Sequence, residues 1–125
     1  RAMVAAQGGD PRAVDDPSVF AKAPVLLPFR ASTGGTIVAI DTHGVGIAGV
    51  EMGAGRARTT DTIDPSVGFV FEHNVGDRVK ASETIAWVHA HDEASAARAI
   101  ERLTRAVSVG DGAVEEVPLV LERVG

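Results

Sequence analysis

The sequence predicts an α+β domain, and three observations carry that reading. Strand-like apolar stretches come first, one amphipathic helical stretch follows, and a last strand closes the chain, without the regular βαβ alternation of a doubly wound sheet. Fourteen glycines stand beside only four Phe and one Trp, which implies many tight turns and thin side-chain layers. At 125 residues the chain has the size of one domain with a modest core.

Element by element, Arg1-Ala-Met-Val-Ala-Ala-Gln7 reads as the last turns of a helix. Gly8-Gly9 supplies a left-handed cap and Asp10-Pro11 stops any continuation. A chain that opens at a helix end, on Arg rather than Met, reads as a piece of something longer. Asp10–Pro28 holds four of the six prolines and is expected to connect, with one helical turn at Asp16-Pro17-Ser18. Phe29–Ser32 and Thr36–Ile40 then read as two strands around a Gly34-Gly35 turn.

Val45–Met52 is a short helix closed by Gly53, and Val67–Phe71 a β-rich run. Val75-Gly-Asp-Arg-Val79 is a turn, since Gly-Asp tolerates the angles of a tight reversal. Thr84–His89 alternates as a strand does. Asp92 then caps a helix over Glu93–Val107, with Ala96, Ile100, Leu103 and Val107 on one face and Gly110 at its end. A polar loop, Asp111–Pro118, leads to a last strand over Leu119–Arg123.

Bulk properties exclude several functions. A net charge of −5, with twelve basic residues scattered along the chain, argues against a nucleic-acid partner. Without cysteine there is no disulfide framework and no thiolate chemistry, which fits a cytoplasmic protein. The longest apolar runs, such as Ala23–Phe29, contain proline and are too short to span a membrane.

Four motifs bear on chemistry. Gly44-Val-Gly46-Ile-Ala-Gly49 has the dinucleotide-fingerprint spacing, yet Gly53 and Gly55 cut short the helix that would face a pyrophosphate. No cofactor is therefore expected. His89-x-His91 beside Asp92 offers two imidazoles on one strand face, but no cysteine completes a four-ligand zinc site, and no Gly-x-Ser-x-Gly elbow supports a hydrolase. An independent small enzyme built on His89, His91 and Asp92 is thus disfavoured, and no metal ligand is assigned.

Gly53-Ala-Gly-Arg56-Ala-Arg58 sets two guanidinium groups on a glycine-rich loop. Such a loop grips a phosphate or carboxylate, or pairs with neighbouring Asp61 and Asp64, or clasps acidic groups on another domain. On these residues alone the three uses stay open. The Val75–Glu83 turn is similar to that of biotinyl and lipoyl carrier domains, which implies a flattened β-barrel (a barrel-sandwich hybrid, α/β-hammerhead-like). Carriers need a lysine on the hairpin after the next strand, and that place reads Ala90-His91-Asp92-Glu93, so a free-standing carrier or binding module is the lesser alternative.

The order of the pieces resembles the C-terminal region of the thymidine and other pyrimidine-nucleoside phosphorylases. The resemblance rests on Gln7-Gly-Gly-Asp10, Ala39-Ile-Asp41-Thr42, Gly46-Ile-Ala48, Gly53-Ala-Gly-Arg56 and Asp61-x-Ile-Asp64-x-Ser-Val-Gly68. Gly76-Asp77-x-Val79, Val88-His89-Ala90, Asp92-Glu93 and Leu121-Glu-Arg123 complete it. Thr42-His43-Gly44 departs from the usual pattern, and no role is assigned to His43, His73, His89 or His91.

The resemblance implies that residues 1–28 are the tail of a preceding α/β domain and a linker, and that 29–125 form a C-terminal barrel-like domain with one flanking helix. Members phosphorolyse thymidine or related nucleosides to the base and a deoxyribose 1-phosphate. Their phosphate and base sites lie in upstream motifs that match nothing here, so no catalytic or substrate-binding residue is carried over. The implied partners are phosphate and a pyrimidine nucleoside for the whole enzyme, together with this domain's own upstream domains. A homodimeric parent and a monomeric, inactive isolated domain are expected. Arg56 and Arg58 are the candidate interdomain latch.

Overall fold

A computed structural model describes residues 1–114 together with Glu122 and Arg123. Chain order gives α1 (Ala2–Ala6), two 3-10 turns (Pro11–Val14 and Pro17–Val19), β1 (Val25–Arg30), β2 (Gly35–Ile40) and α2 (Thr42–Met52). Then follow β3 (Gly68–Phe71), β4 (Arg78–Val79), β5 (Thr84–Ala90), α3 (Glu93–Ala106) and β6 (Val107–Gly110). The chain is α+β, with two three-stranded antiparallel sheets of order β1-β5-β3 and β4-β2-β6.

The helix end at the start of the chain is present as read. Gly8 takes φ 78°, its N–H donates to the Ala5 carbonyl at 3.1 Å, and the Gly9 N–H reaches the Val4 carbonyl at 2.9 Å. These two bonds are the Schellman pair that satisfies the last helical carbonyls. Asp10 and Asp16 cap the two 3-10 turns by accepting from the Arg12 and Ser18 backbone N–H groups, each ahead of a proline that needs no partner.

The expected Gly-Gly hairpin does not form. β1 pairs with β5, and β2 pairs with β4 and β6. Between them Ala31 exchanges backbone hydrogen bonds with Glu83 and Ser82, both at 2.8 Å, so the chain crosses from one sheet to the other instead of turning back. Gly35 serves a different purpose: a Cβ there would lie 2.8 Å from the Gly110 carbonyl oxygen, so its absence lets β2 approach β6. Strand β1 also begins at Val25, running through Pro28 to Arg30. Pro28 is tolerated because β1 is an edge strand. The flattened barrel is not seen: among the described residues no closed barrel forms, and the strands lie in two separate sheets.

Helix α3 starts on a capping box, in which the Asp92 carboxylate accepts from Ser95 N–H at 2.7 Å and the Ser95 hydroxyl faces the Asp92 N–H at 3.4 Å. Its buried face is Ala96, Ala99, Leu103 and Ala106, with Ile100 half-buried. The helix stops at Ala106, short of the expected Val107. Val107 is extended (φ −106°, ψ 121°) and opens β6, because Val107–Gly110 finds backbone partners along β2. Two residues read as part of a turn, Arg78 and Val79, likewise pair with β2 as β4. The strand expected over Leu119–Arg123 falls on residues 119–121 outside the described residues, with Glu122 and Arg123 in no regular element.

The core gathers where α3 covers β1 and β5, with Ile37 and Val79 joining from the second sheet. Ile37, Ile85, Val88 and Leu103 are fully enclosed. Burying each contributes about 1.5–3 kcal/mol against leaving it in water. Helix α2 packs on α3 and is tied to it by Arg102, whose guanidinium donates to both Glu51 oxygens at 3.1 and 2.5 Å. No helix among the described residues is long and apolar enough to cross a membrane.

Candidate functional site: a braced arginine loop

The loop from Gly53 to Asp64 hangs from the C-terminus of α2. Gly53 takes φ 103°, its N–H donates to the Val50 carbonyl and the Ala54 N–H to the Gly49 carbonyl, both at 3.0 Å. This is a second Schellman end, as the sequence predicts for Gly53. The Asp64 N–H then returns to the Gly53 carbonyl at 2.9 Å and closes the loop at its base. Gly55 packs against the helix, where a Cβ would meet Val50 Cγ2 at 2.8 Å.

Two aspartates brace the loop from within. Asp61 Oδ2 accepts from the Ala57 and Arg58 backbone N–H groups at 3.1 and 2.8 Å, and the Asp61 N–H donates to the Arg58 carbonyl at 3.0 Å. Asp64 Oδ1 accepts from the Ser66 hydroxyl at 2.6 Å and from its N–H at 2.9 Å. These bonds, the hydroxyl's first, hold the Asp64 carboxyl below the ordinary aspartate value, with a small contribution from His91. Both acids are therefore engaged by donors within a few residues of them. The pairing of the arginines with Asp61 and Asp64, one of the three uses open from sequence, is absent from this structure. Arg56 and Arg58 are exposed and form no ion pair among the described residues.

The glycines of the dinucleotide-like spacing lie inside α2, not in a turn before it. Asp41 Oδ1 accepts from the Gly44 N–H at 3.0 Å, so a carboxylate already occupies the helix end that a phosphate would need. Beside α2 lies an open apolar groove of about 340 Å³, with Gly46, Gly49, Val50 and Phe69 among its lining and no ionisable group. Sequence reading missed this groove, because it arises only when α2 comes to rest near β3.

The histidines do not converge. His91 lies past the end of β5 and is exposed, so it does not share a strand face with His89. His73 sits between Asp77 (Nδ1 to Oδ2, 3.6 Å) and Glu83 (Nε2 to Oε1, 3.3 Å), and His43 is exposed on α2. Among the described residues no group of three His, Asp or Glu side chains is placed to hold a metal. The place where a carrier would present its lysine is the entry to α3, capped by Asp92, and Lys80 lies between β4 and β5.

A family model described as the pyrimidine nucleoside phosphorylase C-terminal domain matches residues 36–110. The chain belongs to this family. It is similar to a thymidine phosphorylase of Burkholderia cenocepacia (strain HI2424), with 38% identity over 123 residues, and to one of Agrobacterium fabrum (strain C58 / ATCC 33970), with 37%. Another, from Burkholderia lata, is 36% identical over 124 residues. In each case 98% of this chain is covered but only 28% of the relative, so the chain spans little more than a quarter of their length. The family match takes in β2 through β6, including the whole arginine loop.

Proposed function

We propose that this chain is the C-terminal, non-catalytic domain of a thymidine phosphorylase, an enzyme that converts thymidine and phosphate to thymine and 2-deoxy-α-D-ribose 1-phosphate. Its role is structural and in domain closure, with Arg56 and Arg58 as the latch. Three curated thymidine phosphorylases align along nearly the whole chain, which supports the parent activity. The closure role is carried by one observation: two exposed guanidinium groups stand on a loop whose own acids are already engaged.

Phosphorolysis needs donors for a phosphate dianion and groups that stabilise the departing pyrimidine anion, all meeting in one cleft. In this reading the upstream domains supply that cleft, and the loop receives acidic groups of the domain facing it as the cleft closes and excludes water. The test uses the longer enzyme and this chain side by side. The longer enzyme is expected to release thymine from thymidine and phosphate, and the 125-residue chain to release none above a blank. Replacing both arginines by alanine in the longer enzyme is expected to lower turnover and to leave the Tm of the isolated chain unchanged. Full turnover in the double variant, or thymine release by the isolated chain, overturns the reading.

A further inference from the structure

The β1-β5-β3 sheet has two faces: α3 covers one, and the other is buried at Ile85 but leaves apolar side chains exposed farther along. Register places Leu26, His89 and Gly68 side by side in one row, and Pro28, Trp87 and Val70 in the next. Side chains alternate across a strand, so these rows share a face. The opposite face carries Phe29, Ala86, Val88 and Phe69, and α3 packs there. On the outer face Leu26 is 51% exposed and Val70 54%. The Trp87 indole N–H donates to Glu72 Oε1 at 2.8 Å, so its polar edge is satisfied and its ring is fixed across the sheet.

We propose that this outer face docks an apolar surface of the polypeptide that precedes the domain in the longer enzyme. The proposal rests on the reading above, in which that enzyme is a thymidine phosphorylase. Three features favour this occupant. The aligned region leaves nearly three-quarters of each relative's length outside it, which is ample chain to supply a partner surface. The segment that leads into β1, through which such a partner would be tethered, also leaves Phe20 63% exposed, with Val14 and Val19 exposed before it. Finally, the two rows hold only six residues, too few for the roughly 800 Å² per partner of a stable complex between separate molecules. A partner tethered through the same backbone acts at high effective concentration and needs no such area.

The test is Val70→Glu, with Leu26→Ala as a milder second variant, each made in the longer enzyme and in the isolated chain. In the isolated chain both are expected to leave Tm unchanged, because the face meets water there. In the longer enzyme Val70→Glu is expected to speed proteolytic cleavage between residues 10 and 24 at least about tenfold, as the domain lifts off. Leu26→Ala should speed it less. Equal cleavage rates in wild type and both variants overturn the proposal. So does a concentration-dependent dimer of the isolated chain that Val70→Glu abolishes, since the face would then belong to a second copy. Thymine release is measured on the same samples. An inactive wild-type enzyme in which Val70→Glu still speeds cleavage defeats the functional reading alone, and an active enzyme with no change in cleavage defeats the docking alone.

Discussion

In the 53–64 loop Asp61 turns inward onto the Ala57 and Arg58 backbone, while the arginine side chains remain unpaired among the described residues. In the turns around β4 the carboxylates also accept from backbone N–H groups, but they meet a side chain as well. Asp77 and Glu83 cap the Asn74 and Lys80 N–H groups at 2.8 and 2.6 Å, and the same two carboxylates face His73 from either side. Both regions hold nitrogen-bearing side chains near acids in sequence, but only in the second do the two meet. A carboxylate already bound to several backbone donors leaves little for a guanidinium three residues away, so a charge pattern alone does not say whether a loop is self-contained. The 53–64 loop has a hydrogen-bonded backbone and two guanidinium groups that form no ion pair among the described residues.

The comparison can be sharpened first where the largest effect is expected. Arg56→Lys combined with Arg58→Lys keeps both charges and removes the planar forks. In the longer enzyme this should lower turnover about tenfold or more if the arginines make desolvated bidentate contacts, because about 1.4 kcal/mol corresponds to a factor of ten. Unchanged turnover would reduce the loop's contribution to simple charge. Next in size, Asp61→Ala removes the acceptor shared by two backbone N–H groups. Chemical denaturation of the isolated chain should show a loss of about 1 kcal/mol. A loss near zero would mean that the backbone closure at Gly53 and Asp64 holds the loop unaided.

A double-mutant cycle on His73→Gln and Glu83→Gln probes the self-contained region. The coupling should stay below about 1 kcal/mol at neutral pH and shrink as salt is added, as expected for a partly exposed pair. A large salt-insensitive value would make those turns more than a surface clasp. The smallest effect concerns acid. The folded Asp64 carboxyl is held below its ordinary value by Ser66, so its contribution to stability is fully present above the unfolded value of about 4 and is lost as pH falls through the folded one. Asp64→Asn keeps an acceptor for Ser66 but cannot titrate. Its Tm should therefore fall less steeply than wild type below about pH 4, and superimposable acid limbs would rule out this role for Asp64.

What was legible in the sequence was local. The Gly8 and Gly53 helix ends, the Asp92 cap and the texture of β3 and β5 follow from residues within a few positions of each other, and they stand in the structure. What was not legible was pairing. Gly34-Gly35 has the look of a hairpin turn, yet Gly35 is needed for its distance to Gly110, seventy-five positions on. Val107 continues the apolar face of the helix in sequence, yet it opens a strand because β2 offers Val107–Gly110 a ladder. The site divides in the same way. Two arginines on a glycine-rich loop could be read directly, but whether Asp61 would turn to them or to the backbone depends on how the loop folds over.

Helix α2 has a consequence of its own. Gly44, Gly46 and Gly49 each weaken a helix by about 1 kcal/mol relative to alanine, so eleven residues of this composition would not persist alone. Its order comes from neighbours: the Asp41 cap, the contact with α3, and the Glu51–Arg102 bridge. If so, hydrogen exchange should find the amides of α2 opening more readily than those of β5. The arginine loop is attached at the C-terminal end of α2. In the reading proposed above, the latch is thus mounted on an element whose order depends on its neighbours rather than on its own residues.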